Sequence, residues 1–194
     1  LAGAREPLGY CPRVPDADRE LEPDAEHQVT PLELFFDLVF VFGITQVTIL
    51  LADDPTWGGV LRGMLVLAAL WWAWDVYAWL TSAMDVDEGG VRLVMLAAMA
   101  AMFGSALAVP GAFGDDAVFF GVAYLLVRLL HLVLSALVAR DDPDRLGALL
   151  RFAPTAVVGP LLLVLAGFVE GNARVAIWPV ALAIDYLGPV VIGA

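Results

Sequence analysis

Nothing constrains this chain more than six long apolar runs that follow one another, at about 32–51, 59–82, 91–109, 117–139, 149–169 and 174–193. A helix rises roughly 1.5 Å per residue, so about 20 residues cross a hydrocarbon core of about 30 Å. Each run is long enough to span. In lipid the backbone must close its own hydrogen bonds, and a helix does this within a single segment. The short alternating segments of a β-barrel are not seen in the sequence. The expected fold class is therefore all-α, a polytopic transmembrane helical bundle of about six spanning helices. The 61% hydrophobic content and the mean hydropathy of +0.83 agree with it, because the charges gather in a tail and in short gaps. Those gaps, "ADDPTWGG", "DVDEGG", "PGAFGDD", "ARDDPDRLG" and "EGNA", hold helix caps and breakers. The two DDP segments look alike, but they share mostly capping chemistry.

Residues 1–28 are acidic, rich in Pro and without periodicity, and are expected to be a disordered tail. They lack the basic start and apolar core of a secretory signal, so the first run is expected to be retained as a span. Residues 29–194 form the expected transmembrane domain. The net charge of −12 does not point to basic partners, since seven of the 22 acids lie in residues 6–26. Without a basic stripe, nucleic acid is not an expected partner. Cys11 stands alone and only two His are present, so neither an internal disulfide nor a metal site is expected, and no cofactor is implied. The ten basic residues are all Arg. With the N-terminus inside, inner segments hold Arg5, Arg13, Arg19, Arg92, Arg140, Arg145 and Arg151, against Arg62 and Arg174 outside. That bias favours a cytoplasmic N-terminus.

Two runs carry further patterns. In the third, Ala97, Ala100, Ala101, Gly104, Ser105 and Ala108 recur at spacings of three and four, a smooth face suited to close helix packing. The second holds Trp71, Trp72, Trp74, Tyr77 and Trp79, which fit either an interfacial aromatic belt or an aromatic-lined site.

Ionisable residues inside the runs are the candidate functional groups. A charge at mid-bilayer costs about 2.5 to 3.5 kcal/mol even on insertion scales, so it must pair, face the interior or sit near an end. Glu33 opens the first run and Asp37 lies one turn deeper on the same face. Asp75 lies late in the second run, Arg128 and His131 share a face of the fourth, and Asp185 lies within the sixth. With alternating helix directions, Asp37, Asp75, Arg128, His131 and Asp185 fall in one slab between the midplane and the inner leaflet. This sets up the expectation of a buried polar cluster of Glu33, Asp37, Asp75, Arg128, His131 and Asp185. It would serve either helix registry or a proton or ion path. Ser105 and Ser135 are conceivable nucleophiles, but no nucleophile motif surrounds either, so no enzyme and no catalytic residue is expected.

The stretch "VTPLELFFDLVFVFGITQVT" resembles the low temperature requirement protein A family of bacterial membrane proteins. "LWWAWDVYAWLTSAMDVDE", the "R…MLAAMAAM" run and "VAYLLVRLLHL" support the resemblance, which covers the chain from residue 29 onward. It implies a multi-pass protein of the bacterial plasma membrane, from a family named for a requirement during growth in the cold. Family members are longer and carry a later E-R-F-x-L-F motif followed by L-G-E. That motif is absent here, so the resemblance implies an N-terminal half whose partners are the lipid bilayer and the missing C-terminal half. Two functions stay open: a transporter or ion- or proton-coupled membrane protein acting on a small solute or ion through the polar cluster, and a non-transporting protein that supports the envelope in the cold by packing, lipid or partner contacts.

Overall fold

The computed structural model describes residues 31–82 and 89–192. The acidic tail therefore lies outside the described residues. Among those described, the chain forms six α-helices and no strand: α1 (Pro31–Asp53), α2 (Trp57–Thr81), α3 (Gly89–Leu107), α4 (Ala117–Ala139), α5 (Pro143–Ala166) and α6 (Asn172–Ile192). The all-helical bundle is the one expected from the apolar runs. Five helices, α1 to α5, are long and apolar enough to cross a membrane. The sixth, α6, is 21 residues long, and the side chains beyond Gly188 lie outside the described ones.

The helix ends follow local chemistry. Thr56 caps α2, its hydroxyl oxygen accepting the Gly59 N–H at 3.1 Å. At α5 the cap is Asp142, which accepts from the backbone N–H of Asp144 at 3.0 Å and of Arg145 at 3.2 Å, with Pro143 in the first turn. A proline there costs no hydrogen bond. Hydropathy alone starts this helix near 149, because its first turns are polar; the Asp–Pro cap moves the start back to Pro143. The two DDP segments thus cap their helices through different positions.

The helices form a ring in the order α1, α3, α4, α5, α6, α2, with α2 also touching α4 across the middle. Side-chain hydrogen bonds to helix carbonyls hold α2 in place. The Tyr77 hydroxyl donates to Val127 O at 2.8 Å, and the Tyr186 hydroxyl donates to Ala68 O at 2.7 Å. Such bonds matter in lipid, where apolar contact between helices carries no hydrophobic driving force. At one end Arg174 joins two turns: its guanidinium donates to Phe113 O and Gly114 O of the α3–α4 turn and to Val169 O and Gly167 O of the α5–α6 turn. A cation in the first turn of α6 opposes that helix's dipole, but the exposed carbonyls ending α5 attract it. Trp178 fills the space beneath, 4.6 Å from Phe113 and 5.2 Å from Phe120 between ring centres.

Glycines set the closest approaches. A Cβ at Gly121 of α4 would lie 2.7 Å from the Val164 backbone of α5. One at Gly159 of α5 would lie 2.7 Å from Ala181 O of α6 and 2.9 Å from the Asp185 Cβ. These contacts fix the α4–α5–α6 side of the ring, where the charged residues meet.

Candidate functional site

Arg128 is the middle residue of α4, and its side chain is buried there at 1% exposure, as is Asp185 of α6. Its Nη2 donates to Asp185 Oδ1 at 2.7 Å. Tyr124, one turn earlier on the same face of α4, donates its hydroxyl to Asp185 Oδ2 at 3.0 Å. Both carboxylate oxygens are therefore bound. The Trp72 ring centre lies 5.9 Å from the Arg128 guanidinium carbon, and Trp72 stacks on Tyr186 at 4.3 Å. A cation facing an indole in a dry environment gains further stabilisation.

The arginine is incompletely satisfied. Its Nε and Nη1 are buried and have no hydrogen-bond partner among the described residues, and the same holds for Nδ1 of His131. Buried donors left unpaired are costly and rare. His131 lies one turn beyond Arg128 and is itself buried. The ring of Tyr77 meets it edge-on at 5.6 Å, and the Ser135 hydroxyl stands 3.5 Å from Nε2. No carboxylate reaches His131 Nδ1 among the described residues, so a Ser–His–Asp arrangement is not assembled around Ser135. The Ser105 hydroxyl donates to Ala101 O at 3.1 Å, inside its own helix.

A cleft of about 570 Å³ leads to this pair. It opens between α2 and α5, which do not touch, and α4 forms its back wall. Arg128, His131, Ser135 and Asp75 supply its polar lining within the bundle, and Arg145 stands at the mouth; the rest is apolar, with Trp72, Trp79 and Phe152 prominent. The lining follows α4 from its centre to its C-terminal end. The cleft therefore opens at the end of the bundle that holds the α4–α5 turn, opposite the Arg174 end.

The single cluster expected from the sequence is not what the structure assembles. Arg128 and Asp185 are joined, and His131 lies beside them. Asp75 lines the cleft, half-buried, with no hydrogen bond or ion pair from its carboxylate among the described residues. Asp37 is elsewhere. It is exposed on α1, and its Oδ1 accepts the Trp74 indole N–H at 2.8 Å. The reason is topological: α1 touches only α2 and α3, so α2 stands between Asp37 and His131. The side chain of Glu33 lies outside the described residues. On α3, Ala101 and Ser105 are buried and Gly104 is half-buried, and Ala108 is buried just past its end, whereas Ala97 and Ala100 are exposed. The expected small-residue face is thus divided: Ala97 and Ala100 turn outward while Met95 and Ala98 beside them are buried. The aromatics of α2 divide as well: Tyr77 and Trp72 turn toward the site, Trp74 toward α1, and Trp71 and Trp79 outward. Tyr124 and Gly159 escaped the reading of the sequence. Tyr124 could have been found by its position one turn from Arg128, but Gly159 carries no signal until its facing helix is known.

Long apolar helices with an ion pair buried at their centre define a multi-pass helical membrane protein. The chain belongs to the bacterial low temperature requirement A protein (LtrA) family, whose model matches residues 28–194. It is also 35% identical over 161 residues to RA0937 of Rhizobium meliloti (strain 1021), a protein described as uncharacterized. That match covers 82% of this chain and spans only 39% of the relative's length. No solved structure matches the chain.

Proposed function

We propose that this LtrA-family chain contributes a solute or ion path to a longer protein of the bacterial plasma membrane, with the cleft as entry and the Tyr124–Arg128–Asp185 group as its inner end. The observation that carries this reading is the opening of the cleft onto an arginine that keeps two buried donors unpaired. Ionisable groups inside membranes commonly mark such paths. The Arg bias supports a cytoplasmic N-terminus and, with it, a cytoplasmic cleft mouth. Asp37 pairs with Trp74, late in α2, which puts the start of α1 at the same end as the mouth.

One observation favours a second reading. Arg128 and Asp185 are matched one to one and are almost fully buried. A neutral pair of this kind can fix helix registry in a dry bundle that supports the envelope in the cold without transporting anything.

Water access separates the two. In full-length protein freed of other cysteines, Ser135→Cys is expected to react with a membrane-impermeant maleimide from the cytoplasmic side alone. Silence from both sides, with the same residue reactive after unfolding, would make the bundle dry and favour the second reading.

A further inference from the structure

Asp37 poses a problem that the cleft does not solve. It lies in the first turn of the apolar span Leu34–Asp53 of α1, about 5 Å along the axis from the start of that span and so within a hydrocarbon core of about 30 Å. Its side chain is nevertheless exposed, and among the described residues only the Trp74 N–H reaches it. A carboxylate facing lipid at such a depth is unfavourable, and an indole N–H is a neutral donor that leaves the charge uncompensated.

α1 shares with α5 the lowest burial of the five spans, 28%, and in α1 that exposure includes the Asp37 carboxylate. Leu38 and Val41 are 61% and 55% exposed. Beside them an apolar groove of about 650 Å³ runs between α1 and α3, lined by Phe35, Leu38, Phe42, Leu96 and Phe103 among others. Lipid chains alone could fill an apolar groove, and most exposed apolar faces of membrane helices need no other cover. They cannot satisfy a carboxylate. The relative supplies a candidate occupant, because this chain spans only 39% of its length.

We propose that the α1–α3 face is the docking surface for a transmembrane helix from the part of the longer protein outside this chain, and that this helix brings a basic side chain to Asp37. The groove takes the apolar side of the incoming helix, and Asp37 fixes its depth and rotation through a charge pair. A second copy of this chain fits less well, since α1 set against α1 would bring two Asp37 carboxylates together. The inference holds whether or not the protein transports.

The test uses full-length protein with Cys11→Ser and no other native cysteine, reconstituted at one copy per nanodisc. Spin labels at Leu38→Cys and Val41→Cys are compared with one at Val133→Cys, on the outward side of α4, for collision with oxygen dissolved in the lipid. The expected result is several-fold lower oxygen access at positions 38 and 41. Access equal to that at 133 overturns the proposal, as does protection that arises only when two copies share a disc. Asp37→Leu gives an independent readout. It should lower the melting temperature by leaving the partner's cation unpaired, and Asp37→Asn should lower it less. A melting temperature raised by Asp37→Leu means that the carboxylate faced lipid, and also overturns the proposal.

Discussion

Asp185→Ala alone is expected to destabilise the full-length protein by about 3 to 5 kcal/mol, as is usual when one partner of a buried ion pair is removed. The loss exceeds that of one hydrogen bond because Arg128 stays behind. Its Nε and Nη1 already lack partners, and Nη2 would join them. The Tyr124 hydroxyl would lose its acceptor as well. Removing both charges should be far milder: Arg128→Met with Asp185→Leu is expected to recover most of the loss, since apolar replacements of a buried pair are often neutral. Unfolding in a denaturing detergent series, with the two single variants and the double one, measures this coupling. Additive losses would mean that Arg128 and Asp185 do not depend on each other.

Gly159→Val should be almost as damaging, although no charge is touched. The new Cβ would stand 2.7 Å from Ala181 O and 2.9 Å from the Asp185 Cβ, contacts that neither backbone nor a short side chain can relieve by rotation. Overpacking of this kind costs about 1 to 3 kcal/mol or more. Here it would also push α6 from α5 and pull Asp185 away from Arg128. The losses from Gly159→Val and Asp185→Ala are therefore expected to overlap, so that the double variant is less impaired than their sum. Leu165→Val, on an outward position of the same helix, is the control and should change little. Full additivity would contradict the proposed link between helix spacing and the ion pair.

How much of this could be read from the sequence depends on which coordinate is asked for. Position along the membrane normal is linear in residue number, so hydropathy found the helices, and helix counting put Arg128 and Asp185 near the same depth. Rotation about each helix and the order of helices around the ring are not linear in anything. Asp37 shows the consequence: its depth matched that of the other ionisable residues, yet α1 lies on the α2–α3 side and its carboxylate faces outward. Ala97 and Ala100 show it too: they face outward while Met95, Ala98 and Met99, in the same turns of α3, are buried, so a regular small-residue spacing does not fix which way the helix is rotated. The aromatics of α2 form one run in the sequence, but they radiate around the helix: Trp74 meets α1, Tyr77 reaches α4 and Trp72 stacks on α6. Gly159 is the converse case. Within "VVGPLLL" it carries no signal of its own, whereas the structure keeps α5 helical through Pro160 and uses the missing side chain to admit α6.

A path through the cleft to the Arg128–Asp185 pair would carry a solute or ion across the membrane. The most direct test places full-length protein in sealed liposomes with a pH-sensitive dye inside and imposes proton and ion gradients. The expected result is a flux above that of empty liposomes, reduced by Tyr124→Phe, which leaves the ion pair in place, and abolished by Asp185→Asn. Absence of flux under every gradient in folded wild-type protein, with Asp185→Asn lowering only thermal stability, would contradict it and assign the buried pair to holding the bundle together.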